Sequence, residues 1–133
     1  MRKGLSTAYS GLGWLIVLLG VLQFFLAGLG IFGAESFSAH EAVGGILHGL
    51  TVLVFLLAIA GPRTGRDIGM GFALAALTTL QISLPELRDD SAWLAAFHPV
   101  LALAVLGLAA HIGQRYIGGA GAPGGGSGEP AAA

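Results

Sequence analysis

The sequence contains no cysteine, and only 10% of its 133 residues are charged. Without cysteine, the chain can form no disulfide, thiolate metal site, covalent haem attachment or iron–sulfur cluster. A water-soluble domain needs roughly 25% charged residues to cover its surface. The net charge of −1 provides no electrostatic footprint for nucleic acid. Apolar residues instead make up 55% of the chain, and this composition predicts a membrane protein.

Four apolar stretches are long enough to be considered as membrane spans, since about 20 helical residues cross a hydrocarbon core about 30 Å thick. They cover approximately residues 7–32, 42–60, 68–84 and 92–112. The lack of alternating polar and apolar residues argues against barrel strands. We therefore predict an all-α fold, a polytopic membrane four-helix bundle, with its transmembrane domain in residues 1–116.

The two ends of the chain and the basic residues predict the topology. The first apolar run is longer than the core of a cleaved signal peptide, so we expect a retained anchor. Residues 117–133 are rich in Gly, Pro and Ala and predict a disordered tail. Five of the six basic residues lie on one side of the bundle, and only Arg88 lies on the other. By the positive-inside rule, both termini are then cytoplasmic.

The few polar residues inside the predicted spans recur at a fixed interval. Gln23 corresponds to Gln81 and His40 to His98, both at an offset of 58 positions (81 − 23 and 98 − 40). Each glutamine follows a leucine and precedes its histidine by the same distance. This internal repeat predicts two parallel helical hairpins, related by an axis along the membrane normal.

Depth within the membrane predicts a different histidine pair. Counted at 1.5 Å per residue from the presumed hairpin tips, His48 lies about 18 Å below the first tip and His98 about 15 Å below the second. His40 lies only about 6 Å below the first tip, nearer the mouth. We therefore expect His48 to face His98, with His40 as a substitute for His48. Gln23 lies level with His48 across the first hairpin.

Glycines surround His48 and allow two interpretations. Gly44, Gly45 and Gly49 remove side chains from the neighbouring helical turns. In the first interpretation, the small-xxx-small step from Gly45 to Gly49 packs closely against another helix, and His48 is hydrogen-bonded to Gln23. In the second, the cleared space admits the flat macrocycle of a b-type haem.

A haem would be held by a histidine from each of two helices. His48 and His98 would be the axial ligands of the iron, because neutral imidazole is a common iron ligand. The carbonyls of Gln23 and Gln81 could then accept the other ring proton of each histidine and fix its tautomer. The iron is the metal expected at this site.

The remaining polar residues give weaker indications. His111 points away from His98, since thirteen residues correspond to a net helical rotation of about 220°. Pro99 removes a backbone donor and predicts a kink in the fourth helix. We find no nucleophile motif, phosphate loop or zinc-protease helix. The sequence therefore favours a protein that is not an enzyme.

Several segments carry a resemblance to known proteins: residues 22–32, the spacing of His40, Gly44 and His48, Leu84-Pro85-Glu86-Leu87, and His98-Pro99-Val100. In these segments the sequence resembles a bacterial family of small four-helix membrane proteins of unknown function. The resemblance implies a four-helix protein of the bacterial cytoplasmic membrane. More distantly, the histidine-bearing hairpins are similar in architecture to b-haem-binding membrane four-helix bundles such as haem A synthase.

Three functions follow from these observations. The first is a haem-binding electron-transfer protein of the membrane. The second is a non-catalytic accessory subunit, in which a His/Gln network packs the helices or binds a partner. The third is a membrane module that binds quinone or another small molecule without haem. The expected partners are the lipid bilayer and either a membrane redox complex or further copies of the chain, and nucleic acid is not among them.

Overall fold

The structure is a computed structural model that describes residues 2–61 and 64–115. The predicted tail, residues 117–133, lies outside these ranges. All regular secondary structure among the described residues is helical. The elements are α1 (Arg2–Ile31), α2 (Ser38–Ala60), α3 (Gly65–Ser83), a 3-10 turn (Leu84–Leu87), α4 (Ala92–Ala95) and α5 (His98–Gln114).

Four segments are long and apolar enough to cross a membrane: Gly4–Ile31, Ser38–Ala60, Gly65–Leu87 and Ala92–Gln114. The prediction of an all-α membrane four-helix bundle is confirmed. The third segment is longer than the predicted 68–84 at both ends, because α3 begins at Gly65 and the 3-10 turn continues it to Leu87.

The fourth segment is divided into α4 and α5. Ala96 and Phe97 form a turn between them, and Pro99 lies in the first turn of α5. A proline is tolerated there because the first amide groups of a helix have no partner within the helix. The expected kink within a continuous helix is therefore replaced by a break before His98, so that His98 begins α5.

Local sequence signals explain two other boundaries. The connection after α1 contains Gly33, whose φ of +71° lies in the left-handed region that glycine adopts at the end of a helix. At the start of α3, the Thr64 side chain accepts from the Asp67 amide at 3.3 Å. The Asp67 carboxylate in turn accepts from the Thr64 amide at 3.1 Å. This reciprocal capping box begins α3 directly after the short connection from α2.

The helices form a closed ring in which α1 packs on α2, α2 on α3, α3 on α5, and α5 on α1. We call the end with the two connections after α1 and α3 the hairpin end, and the opposite end the terminal end.

The internal repeat is visible in the core. A shift of 58 residues relates α1 to α3 and α2 to α5. Buried apolar residues occupy equivalent positions in the two halves: Ile16 and Leu74, Leu47 and Val105, Val54 and Ile112. The two hairpins therefore share one core around a pseudo-twofold axis.

The contacts between the hairpins depend on glycine. A Cβ atom on Gly13 in α1 would lie 2.6 Å from the Gly113 nitrogen and 2.8 Å from the Ala109 carbonyl oxygen in α5. At the equivalent crossing, a Cβ atom on Gly71 in α3 would lie 3.0 Å from the Phe55 Cα in α2. Small residues let helix backbones approach closely in a membrane, where packing rather than water drives association.

A buried polar network joins three helices at the terminal end. The Arg115 Nε atom lies 2.6 Å from the Asp67 Oδ1 atom. The Tyr9 hydroxyl in α1 donates to the Asp67 main-chain oxygen at 3.2 Å. Tyr9 and Asp67 are fully buried, whereas Arg115 remains 23% exposed. The network satisfies the buried carboxylate with a charge partner, as its burial requires.

We expect the Gly13→Ala substitution to lower the free energy of unfolding by about 1–3 kcal/mol, because the added methyl group meets backbone atoms that cannot move aside. Gly11→Ala is the matched control, since a Cβ atom there has no neighbour within 4 Å and the gain in helix propensity is the same. Denaturation of the detergent-solubilised variants measures both effects. Equal stability of the two variants would contradict the close crossing.

Candidate functional site

His40 is fixed to α1 by its own hydrogen bond. Its Nδ1–H group donates to the main-chain oxygen of Gln23 at 3.1 Å. Because a carbonyl oxygen can only accept, the proton must lie on Nδ1. In the neutral ring, Nε2 then carries an unprotonated lone pair. The hydrogen bond thus joins α2 to α1 and leaves one ring nitrogen able to bind a metal or accept a proton.

His98 repeats this arrangement in the second hairpin. Its Nδ1–H group donates to the main-chain oxygen of Gln81 at 2.8 Å, and each histidine lies 17 residues after its glutamine. The Gln81 side chain adds a contact that the first hairpin lacks, since its Nε2 atom lies 3.5 Å from the His98 Nε2 atom. An unprotonated Nε2 accepts this weak hydrogen bond from the amide.

The two histidines meet across the pseudo-twofold axis. Their ring centroids lie 6.1 Å apart, with an angle of 62° between the ring planes. Both residues are half-buried. They border a cleft, called here the outer cleft, which contains about 300 Å³ of space including its open mouth. Gln23, Gln81, Phe24 and Pro99 also line it.

A second cleft, called here the inner cleft, adjoins the first. It contains about 390 Å³ of space, again including its opening, and Gln23 and Gln81 line it as well. Its wall consists largely of residues related by the offset of 58: Gly20 and Thr78, Gly44 and Ala102, Leu47 and Val105, Phe24 and Ile82. The inner cleft therefore also lies on the pseudo-twofold axis.

The surroundings of the Gln23 side chain do not satisfy all of its hydrogen-bonding groups. Its Oε1 atom is buried and has no hydrogen-bond partner within the described part of the chain. A Cβ atom on Gly44 would lie 2.8 Å from the Gln23 Nε2 atom, so the absence of a side chain at Gly44 makes room for this amide. Buried polar atoms are nearly always paired, and an unpaired carbonyl oxygen therefore marks a site that can accept a donor.

The structure corrects the role expected for His48. Its Nε2–H group donates to the Thr79 hydroxyl oxygen of α3 at 3.0 Å, and Thr79 uses its own proton on the Ala75 carbonyl at 2.8 Å. The predicted hydrogen bond from His48 to Gln23 and the predicted pairing of His48 with His98 were both wrong. His48 connects α2 to α3, outside the contact between His40 and His98.

The error came from measuring depth along an assumed straight helix. Of the residues from Arg88 to His98, only Ala92–Ala95 are helical before α5 begins at His98 itself. A rise of 1.5 Å per residue does not apply to the turns around them. His98 is therefore close to the hairpin end, as His40 is. The offset of 58 relates His40 to His98, and these are the two imidazoles in contact.

The remaining glycines and His111 lie away from this pair. Gly45 and Gly49 are exposed, and a Cβ atom on either has no neighbour within 4 Å. The expected small-xxx-small contact therefore does not occur within the described chain. His111 is exposed near the terminal end, where its Nε2 atom lies 3.5 Å from the Arg66 guanidinium.

Two further polar contacts were not predicted from the sequence. Thr79, the partner of His48, lies in a span where any hydroxyl must find an acceptor or donor nearby. Asp67, which contacts both Arg115 and Tyr9, lies at the first turn of α3. Its capping-box spacing from Thr64 was a usable signal for the start of α3, although not for the ion pair.

Comparison with known proteins gives one match. A family model described as a family of unknown function (DUF6220) matches residues 23–86, which are 64 of the 133 residues. The matched segment contains Gln23, His40 and Gln81 and ends before His98. Neither a curated protein nor a solved structure matches the chain. The similarity to an uncharacterised family thus covers the first histidine–glutamine pair and the glutamine of the second.

The hydrogen bonds predict different tautomers for the three histidines. In their neutral forms, His40 and His98 should carry their proton on Nδ1, whereas His48 should carry it on Nε2. Solid-state NMR of protein labelled with ¹⁵N-histidine in bilayers distinguishes these forms, and single His→Ala variants assign them. An Nε2–H tautomer at both His40 and His98 would contradict the two carbonyl contacts.

Proposed function

We propose that the protein binds a b-type haem between α2 and α5, with His40 and His98 as axial ligands, and serves in electron transfer within the membrane. One observation carries the proposal: the two imidazoles meet at one cleft that both line, and each Nδ1 is fixed by a main-chain carbonyl. Ligand histidines are commonly oriented in this way, because the second hydrogen bond fixes the ring and leaves Nε2 for the metal.

The contact between the rings supports this assignment. The imidazoles of His40 and His98 meet edge to face, with centroids 6.1 Å apart. Both rings line the outer cleft, so one group bound there could contact both. His40 thus replaces His48 as the proposed partner of His98.

The donor set also fits a haem better than a bare metal ion. Among residues 2–61 and 64–115, no group of three or more histidine, cysteine or carboxylate side chains is placed to hold a metal ion. A porphyrin supplies four of the ligands itself and needs only axial groups from the protein. When bound, haem iron would supply one-electron redox chemistry. Phe24, Pro99 and Ala102 line the cleft and would provide an apolar surface for the haem.

A second candidate function is a structural one. Each histidine fastens the two helices of its own hairpin, α1 to α2 through His40 and α3 to α5 through His98. These bonds favour an accessory subunit, in which the His/Gln network holds the bundle for a partner and binds no cofactor. Hydrogen bonds between membrane helices contribute about 0.6 kcal/mol on average, so such a role is energetically reasonable.

Absorption spectra distinguish these functions. After expression with sufficient haem and purification in mild detergent, we expect a Soret band and, on reduction with dithionite, an α band. His40→Ala and His98→Ala should each abolish low-spin ligation, because each removes one axial ligand. His48→Ala is the control and should keep the wild-type spectrum, since His48 contacts Thr79.

Two results would decide against the proposal. A wild-type protein without a Soret band would favour the structural role, particularly if His40→Ala and His98→Ala still lower the thermal stability. Loss of the spectrum in His48→Ala, with retention in His40→Ala, would reverse the choice of axial ligand.

We further propose that both termini are cytoplasmic, in a bacterial cytoplasmic membrane. Arg66 and Arg115 lie at the terminal end, and Arg88 lies at the hairpin end among acidic residues. A phosphatase reporter, active only in the periplasm, should be inactive when fused after Ala133 and active when inserted beside Arg88. The reverse pattern would refute this orientation. It would leave the haem proposal intact, because that rests on the contact between the histidines.

A further inference from the structure

The two glutamines of the site are equivalent in sequence but not in their contacts. The Gln81 amide lies 3.5 Å from the His98 Nε2 atom and donates to its lone pair. The Gln23 amide lies next to Gly44, and its buried Oε1 atom has no partner within the described residues. One half of the site thus has a donor on a metal-binding lone pair, and the other half has an unused acceptor.

Both side chains line the same inner cleft. A donor released from His98 would therefore find an acceptor of matching chemistry on the other side of the pseudo-twofold axis. A hydrogen bond from an amide is favourable, and leaving a buried carbonyl unpaired is unfavourable. Exchange of one partner for the other would therefore compensate for the loss of the contact with His98.

We infer that Gln81 is a positioning residue that has two partners: the His98 Nε2 atom when no haem is bound, and the Gln23 Oε1 atom when iron occupies that lone pair. This inference rests on the proposed haem site. It makes the pairing of the two glutamine side chains across the hairpins a consequence of binding. Gln23 thereby stabilises the bound state without contacting the iron.

The substitution Gln→Leu tests each side chain separately. Leucine lacks the amide but keeps the main-chain oxygen, so the acceptors for His40 Nδ1 and His98 Nδ1 remain. It is apolar and similar in size to glutamine, which suits an intramembrane site. If a leucine variant fails to fold, the more flexible methionine replaces it at the same position.

A double-mutant cycle in haem affinity measures the exchange. In the wild-type background, Gln23→Leu should weaken haemin binding about three- to tenfold, because the bound state loses its amide pair. In the Gln81→Leu background, Gln23→Leu should leave the affinity unchanged, since no amide remains to be accepted. Gln81→Leu in the Gln23→Leu background should strengthen binding by a similar factor, because it removes only the competitor of the iron.

The haem-free protein provides an independent readout. In its NMR spectrum, the ¹⁵N resonance of His98 Nε2 should move in Gln81→Leu, where the hydrogen bond to the lone pair is lost. It should not move in Gln23→Leu, and the His40 Nε2 resonance should not move in Gln81→Leu. A purely structural role for Gln81 would leave the His98 Nε2 resonance unchanged.

The outcomes separate this inference from the haem proposal. Wild-type protein that binds no haemin refutes the proposed function, and the inference fails with it. Haemin binding together with equal effects of Gln23→Leu in both backgrounds overturns only the exchange of partners. Binding, a cycle that is not additive and a shifted His98 resonance in Gln81→Leu together support it.

Discussion

A polar group within a membrane must find its partner inside the protein, and this requirement organises the whole structure. His40 and His98 each satisfy Nδ1 with a main-chain carbonyl 17 residues earlier. Each bond fixes one helix against the next and determines which ring nitrogen stays free. The same contact is therefore part of the packing and the origin of the site's chemistry.

The hydrogen bond from histidine to a main-chain carbonyl occurs in both hairpins, and the packing of the hairpins brings the two histidine rings together. The pseudo-twofold axis passes between equivalent buried residues such as Leu47 and Val105, and then between the histidine rings. Departures from symmetry are as informative as the symmetry itself. Leu106 lines the inner cleft, whereas its counterpart His48 pairs with Thr79 in α3. The two glutamines differ in a similar way.

The sequence allowed the helices, their number and the repeat to be predicted, because hydropathy and spacing depend on residues close together in the chain. The offset relates His40 to His98, but we expected His48 to face His98, with His40 as a substitute. The comparison of depths did not predict the contact between His40 and His98, because the stretch before α5 contains turns that hydrophobic periodicity does not indicate. The partner of His48 depends on how far α2 and α3 are rotated, and backbone contacts such as that of Gly71 with Phe55 fix this rotation.

The meeting of His40 and His98 is the central claim, and the distance between their rings tests it most directly. In protein with uniformly ¹³C-labelled histidine, solid-state NMR in bilayers should give one inter-residue cross-peak between imidazole rings, consistent with centroids 6.1 Å apart. This cross-peak should vanish in His40→Ala and in His98→Ala and persist in His48→Ala. A cross-peak that depends on His48 and His98, and survives His40→Ala, would contradict the account.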